Sequence, residues 1–306
     1  MPTHESTARA MGTDVHVIVV AEDEQVAHQL GRWALERLEQ LEARWSRFRP
    51  DSELSRLNAA AGRPVVVAGI TFELLRHAVL SWERTAGACD PTTAASVAAS
   101  GYDRDFRSVE PDGPALERPD VGPSPGCAGI VLDPIVGSVT LPPGVTLDLG
   151  GLAKGFAADV VADELGAAGA IGVCVNLGGD LRVIGTPPRD DAWIIEVEEA
   201  DDRPVLALAE GGVATTSRRR RTWRRGRTEY HHVIDPRTGA PARVPWLAAT
   251  VIAGRARDAE ALAKAAFLAP DVAAANAALR RGGATGLLVG GDGTSLGLDG
   301  VDAFRR

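Results

Sequence analysis

DLGGLAKG, Asp148 to Gly155, is the stretch on which the reading of this chain turns. A strand is expected to end at Asp148, paired glycines let the backbone approach a ligand, and the residues that follow carry Phe156, Val160, Val161 and Leu165 at helical spacing. That predicts a helix over about 152 to 168, with free N–H groups and its positive end exposed from Gly151 to Lys154. Such a helix mouth suits an anion, and Lys154 adds a full charge to it. A tight strand-to-helix turn, with glycines for packing, accounts for the same residues.

Lys154 stands out for another reason: of 33 basic residues only Lys154 and Lys264 are lysines. The preference for Arg, Ala, Gly and Pro reads as a high-GC coding bias. A lysine kept against it supplies a compact, strongly hydrated charge that a planar guanidinium does not mimic.

Outward from this stretch the pattern is mixed. Residues 13 to 20 alternate around Val15, Val17 and Val19 and read as the first strand. A helix follows, with Leu30, Ala34, Leu38, Leu41 and Trp45 on one face and Pro50 beyond it. Asp51 or Ser52 is placed to cap a short helix, and another helix is expected from 71 to 86. Residues 107 to 128, rich in Pro, Gly and acids, read as a long surface connection, and strand signals return at 129 to 147. Strands are expected at 171 to 176, 181 to 185, 192 to 198 and 203 to 208, and helices at 257 to 269 and 271 to 281. The chain closes on a hairpin around the glycines at 290 to 293. This is an α+β arrangement: mixed, largely antiparallel sheets packed with helices.

At 306 residues, 45% hydrophobic and 24% charged, the composition is that of a globular protein with a sizeable core. A formal charge of -8 argues against a general nucleic-acid binder and makes any anion site local. Cys89, Cys127 and Cys174 match neither a zinc cluster nor a disulfide framework and read as buried thiols. The start of the sequence has no signal-peptide pattern or lipid-bearing cysteine, and no run approaches the ~20 apolar residues of a membrane helix. The expectation is a cytoplasmic protein with no membrane insertion.

Three further segments carry chemistry. Residues 213 to 241 hold seven arginines between Arg218 and Arg227, then HHVIDPRTG, in which Asp235, Pro236, Thr238 and Gly239 make a turn beside His232. Strand alternation sends His231 and His232 to opposite faces, so His232, sharing a face with Ile234, is the candidate base for a hydroxyl. Glu260 and Lys264 lie four apart on one helix face. They read either as an ion pair worth ~0.3–0.5 kcal/mol or as a divalent-cation site at Glu260 with Lys264 beside it. Finally, VGGDGTSLG at 289 to 297 looks like the phosphate-binding element of NAD and diacylglycerol kinases, while a hairpin turn explains Gly291, Asp292 and Gly293 without a ligand.

In order, MGT at 11, DSELSRLN at 51, DPT at 90, DLGGLAKGFAAD at 148, NLGGDLRVIG at 176, HHVIDPRTG at 231 and the alanine-rich helix at 258 to 268 resemble the ApbE-like FAD:protein FMN transferases. The likeness covers nearly the whole chain. It implies a two-lobed ApbE-like fold over residues 1–306, a single domain whose lobes interlock, with the long connection near 107–128. It also implies Mg2+-dependent transfer of FMN from FAD to a Thr or Ser hydroxyl of a target protein, with release of AMP. By position, Met11, Phe48, Ser100, Gly101, Tyr102, Asp148, Lys154, Ile234 and Thr238 correspond to FAD contacts. His232 and Asp235 correspond to the catalytic turn, and the Gly151 carbonyl, Glu260 and Lys264 to the metal site.

The chain departs from the family at three of these points. Glu260 replaces an aspartate and Lys264 a threonine ligand, Phe48 stands where tyrosine is common, and TTSRRRR replaces TSG followed by an aromatic. A protonated lysine has no lone pair to offer. Lys264 in the metal's place implies, as the alternative, an FAD-binding protein of this fold without transfer activity. The acceptor expected is a protein with a D-x-x-(S/T)-G-(A/S)-T-like motif. The chain's own DPRTGAP at 235 to 241 approaches that pattern and breaks it at Pro241.

Overall fold

The computed structural model describes residues 1–116, 121–189 and 191–306. The chain divides into two compact units: Met1–Glu42, Ala153–Thr216 and Pro245–Arg306 form one, and Ala43–Leu152 with Ser217–Val244 form the other. Among the described residues no helix is long and apolar enough to cross a membrane.

The first unit is built on an eight-stranded sheet whose spatial order is also its chain order. The strands are Thr3–Ala10, Thr13–Val20, Gly172–Leu177, Asp180–Gly185, Gly211–Ser217, Ala248–Ala253, Thr285–Val289 and Ser295–Gly297. The first five pair antiparallel in succession, as do the last three. The strand at 13 to 20 alternates as far as Val19, with Val15, Val17 and Val19 buried, and its last residue, Val20, is buried as well. It is not the first strand, however. Thr3–Ala10 precedes it, and its polar sequence, THESTARA, conceals a pairing that rests on backbone hydrogen bonds.

Two hairpin turns stand at one end of this sheet. Met11 (φ 52°) and Gly12 (φ 69°) join Ala10 to Thr13, and Gly178 (φ 65°) and Gly179 (φ 99°) join Leu177 to Asp180. Positive φ at both central residues is the two-residue turn that matches strand twist, and Met11 adopts it without being glycine. The pairing of Val15 with Leu177 brings the turns together, and the Gly178 N–H donates to the Asp14 carbonyl at 3.0 Å.

Helices Ala153–Ala167 and Ala256–Phe267 pack on each other, the former on the strands at 172 to 185 and the latter on Ala248–Ala253. Helix Val272–Arg281 lies against Ala256–Phe267. Both C-terminal helices and the hairpin around 290 to 293 fall where the periodicity puts them.

In the second unit, Ser52 caps helix Glu53–Asn58, its hydroxyl accepting the Ser55 N–H at 2.9 Å. Helices Gly69–Arg84 and Ala94–Ala99 follow. The strand signals at 129 to 147 resolve into only Val131–Asp133 and Ser138–Thr140, and the latter pairs with both the former and Val65–Val66. Asp148 ends no strand: its N–H donates to the Pro91 carbonyl at 2.8 Å, outside any sheet. The connection at 107 to 128 is partly structured, since Asp112–Gly113 runs parallel to Arg224–Arg225. Its residues 117–120 lie outside those described. Val97, Tyr102, Val109, Trp223, Tyr230 and Ile234 form one of this unit's apolar clusters.

Candidate functional site

DLGGLAKG passes from one unit to the other between Leu152 and Ala153. Helix Ala153–Ala167 begins at that point, as its sequence predicts, and its mouth does receive an anion. The anion is internal. Glu260, buried on helix Ala256–Phe267, accepts the Gly155 N–H on Oε2 at 2.8 Å and the Lys154 ammonium on Oε1 at 3.0 Å. Lys154 also pairs with Asp180, the residue that follows the Gly178–Gly179 turn, and Asp180 in turn accepts the Thr215 N–H at 3.2 Å.

Lys264 completes the cluster from one turn farther along the helix, its Nζ donating to the Glu260 backbone carbonyl at 3.4 Å rather than to the carboxylate. Burial by itself raises the Glu260 carboxyl. The charges of Lys154 and Lys264 and the Gly155 N–H outweigh it and hold the group below its ordinary range. The chain's only two lysines therefore flank one buried carboxylate.

In the second unit Arg47 gathers Phe48, Tyr102 and Asp148. Its guanidinium lies 3.2 Å from Asp148, donates to the Tyr102 carbonyl at 2.8 Å, and stands 4.3 Å from the Phe48 ring and 4.8 Å from the Tyr102 ring. Asp148 also accepts the Gly150 N–H at 2.8 Å, so its carboxylate shapes the glycine turn. The Phe48 ring is 37% exposed beside a buried Tyr102, which leaves an aromatic face open at a guanidinium. The Tyr102 phenol accepts from Arg221 at 3.3 Å, and burial raises its pKa.

Ser100 and Gly101 end helix Ala94–Ala99. The Ser100 carbonyl accepts the Trp223 indole N–H at 2.7 Å, and Gly101 takes φ 92° where a Cβ would stand 3.4 Å from that indole nitrogen and 3.3 Å from Arg225. Met11 sits at its hairpin tip, at the sheet end that also carries Asp180 and, through it, Lys154. Gly151 lies in the turn before the helix, half-buried.

The HHVIDPRTG segment is a turn with its carboxylate already engaged. Asp235 accepts from Arg237 at 2.9 and 2.8 Å and from the Arg237 N–H at 3.0 Å. Burial raises the Asp235 carboxyl, but Arg237 overrides it and the group ends below its ordinary value. The Thr238 hydroxyl donates to the Asp235 carbonyl at 3.3 Å and accepts the Ala240 N–H at 3.3 Å. Strand alternation does not carry across both histidines: Thr228–His231 ends at His231, and His232 occupies a bend before Ile234–Asp235. His231 is buried, with Nε2 3.1 Å from the Ala242 carbonyl, while His232 and buried Ile234 lead into the turn.

The GGDGT segment closes the hairpin between Thr285–Val289 and Ser295–Gly297. Asp292 accepts from the Thr294 N–H at 3.1 Å and hydroxyl at 2.8 Å, and Gly293 takes φ 86°, the local geometry of a turn. The three cysteines are free and buried.

Asp180 and Arg47 are the residues that sequence reasoning passed over. Asp180 was legible only as the residue after a Gly-Gly turn, and Arg47 only as the neighbour of Phe48. A divalent metal does not suit the residues at hand. Mg2+ requires near-octahedral oxygen ligation, yet both Glu260 oxygens already accept hydrogen bonds and Lys264 presents an ammonium. Among the described residues no group of three or more His, Cys, Asp or Glu could hold a metal ion.

The FAD:protein FMN transferase of Treponema pallidum is 33% identical over 248 residues, covering 76% of this chain and 68% of its own length. That of Vibrio cholerae is 31% identical over 241 residues, 74% of this chain and 69% of its own. The crystal structure of an ApbE protein from Thermotoga maritima superposes with a TM-score of 0.89 at 27% identity, over 99% of both chains. The flavin transferase ApbE of Vibrio cholerae has the same fold, with a TM-score of 0.77 at 23% identity over 99% of both chains. The ApbE family model matches residues 11–288, and the chain belongs to the ApbE family.

Proposed function

We propose that this protein transfers FMN from FAD to a serine or threonine hydroxyl of a partner protein whose acceptor segment follows the D-x-x-(S/T)-G-(A/S)-T pattern. The observation that carries this reading is the family match along residues 11–288, with relatives named FAD:protein FMN transferase. In the reaction the hydroxyl oxygen forms a bond to the FMN phosphorus, and the bond from that phosphorus to the bridging oxygen breaks. AMP leaves with the bridging oxygen, and the hydroxyl proton passes to His232 as general base.

The residues support a division of labour. Phe48, with its open ring beside Arg47, offers a stacking surface for a flavin. Asp235 acts as a positioning residue, since its carboxylate is tied to Arg237 and holds the turn that follows His232. Lys154, paired with Asp180 and Glu260, is the cation we assign to a phosphate oxygen. Because the residues at Glu260 and Lys264 do not fit Mg2+, no step is assigned to a metal.

Incubating the purified protein with FAD and a polypeptide bearing the acceptor pattern tests the reading. The expected result is AMP in solution and the mass of one FMN on the acceptor. FAD bound tightly with neither product would make this chain a flavin-binding member of the fold instead.

A further inference from the structure

We infer that Lys154 and Lys264 take the role of a divalent cation in this protein, so that it binds FAD and cleaves its pyrophosphate with no metal ion. The inference rests on the transferase reading for its substrate and on the cluster geometry for its chemistry. In a chain with 33 basic residues, both lysines are found at one buried carboxylate. Lys154 meets both carboxylates, Glu260 and Asp180, and Lys264 stands at the Glu260 backbone carbonyl, so two ammonium groups balance two carboxylates without an added ion.

Glu260 has little capacity left for a metal. One oxygen is held by Lys154 and the other by the Gly155 N–H, and the side chain is 2% exposed. A cation entering there would have to displace Lys154 and then stand beside the Lys264 ammonium, which repels it. An anion faces the opposite balance. The Lys264 ammonium has three donors and, half-buried, directs one to the Glu260 carbonyl at 3.4 Å. A diphosphate arriving at these groups gains charge-assisted hydrogen bonds in place of the charge neutralisation that a coordinated cation would supply.

The test uses metal-stripped full-length protein and Mn2+ as the probe, read by the room-temperature paramagnetic resonance signal of the free ion. Wild type is expected to leave the Mn2+ signal unchanged, with FAD-only solution as the control. Lys264→Thr combined with Lys154→Ala, which supplies an oxygen ligand and releases the Glu260 oxygen that Lys154 holds, is expected to bind about one ion per chain. AMP release from FAD with an acceptor present should agree within twofold between EDTA and Mg2+ for wild type, and fall at least tenfold in EDTA for both Lys264→Gln and Lys264→Ala. Stoichiometric Mn2+ binding by wild type, or turnover abolished by EDTA and restored by Mg2+, would overturn the inference. If FAD is not split under any condition, the transferase reading fails, and the Mn2+ titration still decides whether this cluster holds a metal.

Discussion

Gly155 and Asp159, one turn apart on the same helix, are bound to one neighbouring helix in opposite senses. Gly155 donates its N–H to Glu260 at 2.8 Å, while Asp159 accepts the N–H groups of Ala256 and Arg257 at 3.0 and 3.1 Å. Each helix therefore supplies a carboxylate to the N-terminus of the other, where free N–H groups and the helix dipole favour negative charge. Asp159 is further surrounded by Arg182 and Arg255 at 3.6 and 3.5 Å, and burial raises its carboxyl against their pull.

This crossing requires a residue without a side chain at 155. A Cβ there would meet the Ala256 carbonyl oxygen at 2.5 Å, which is backbone and cannot swing away. Gly155→Ala is expected to cost about 1–3 kcal/mol, measured by urea unfolding, the range for overpacking a tight contact. A loss under 0.5 kcal/mol would show that the helices separate easily.

Glu260→Gln removes the charge but keeps the shape. Breaking a buried pair from one side costs about 3–5 kcal/mol, so unfolding at neutral pH should shift by that order. The Glu260 carboxyl is held below its ordinary 4.5 in the fold. Its contribution is therefore complete above that pH and lost as pH falls below it. The variant should lose less stability than wild type on going from pH 5 to pH 3, and parallel acid profiles would contradict the assignment.

His231 has the opposite charge logic. Burial lowers its pKa from 6.5, with the Ala242 carbonyl opposing, and Nδ1 is buried without a hydrogen-bond partner. The unfolded chain binds this proton more readily, so stability falls as pH drops through 6.5 toward the lower folded value. His231→Gln should flatten the stability profile between pH 7 and pH 5 and leave the region below pH 4.5 to Glu260, which pH-dependent thermal melts would separate.

Phe48 tests the flavin surface. Its ring is 37% exposed, so Phe48→Ala is expected to change unfolding free energy by under about 1 kcal/mol. Under the proposed function the same change should weaken FAD binding at least fivefold, read by quenching of flavin fluorescence. Equal affinity in both proteins would remove Phe48 from the flavin site.

The thiols give a check on burial. Cys174 is pushed up to about 12 by burial, and burial also raises Cys127. A disulfide reagent at pH 8 should find essentially no reactive thiol in the native protein and all three after denaturation.

Most of this fold was legible because its signals are local. Apolar spacing located the helices at 153 to 167, 256 to 267 and 272 to 281, and alternation located Thr13–Val20, since those periods follow from the backbone geometry of a single element. Thr3–Ala10 escaped because a strand held at the sheet edge by backbone pairing needs little apolar pattern of its own. Alternation does not extend to His232 because the strand ends at His231 and His232 lies in a bend, which propensity does not mark.

DLGGLAKG shows where sequence ends and tertiary structure begins. The residues alone determined that a helix starts there, that its mouth favours an anion, and that Lys154 is one of two lysines in an arginine-rich chain. They could not say which anion, because a helix N-terminus attracts any carboxylate or phosphate that comes within reach. Only the fold, by crossing two helices closely enough at Gly155, put Glu260 in that mouth and Asp180 on Lys154, charges 106 and 26 residues away along the chain. Helix position is a matter of neighbours in sequence, whereas charge compensation in a buried cluster depends on groups that only packing brings together.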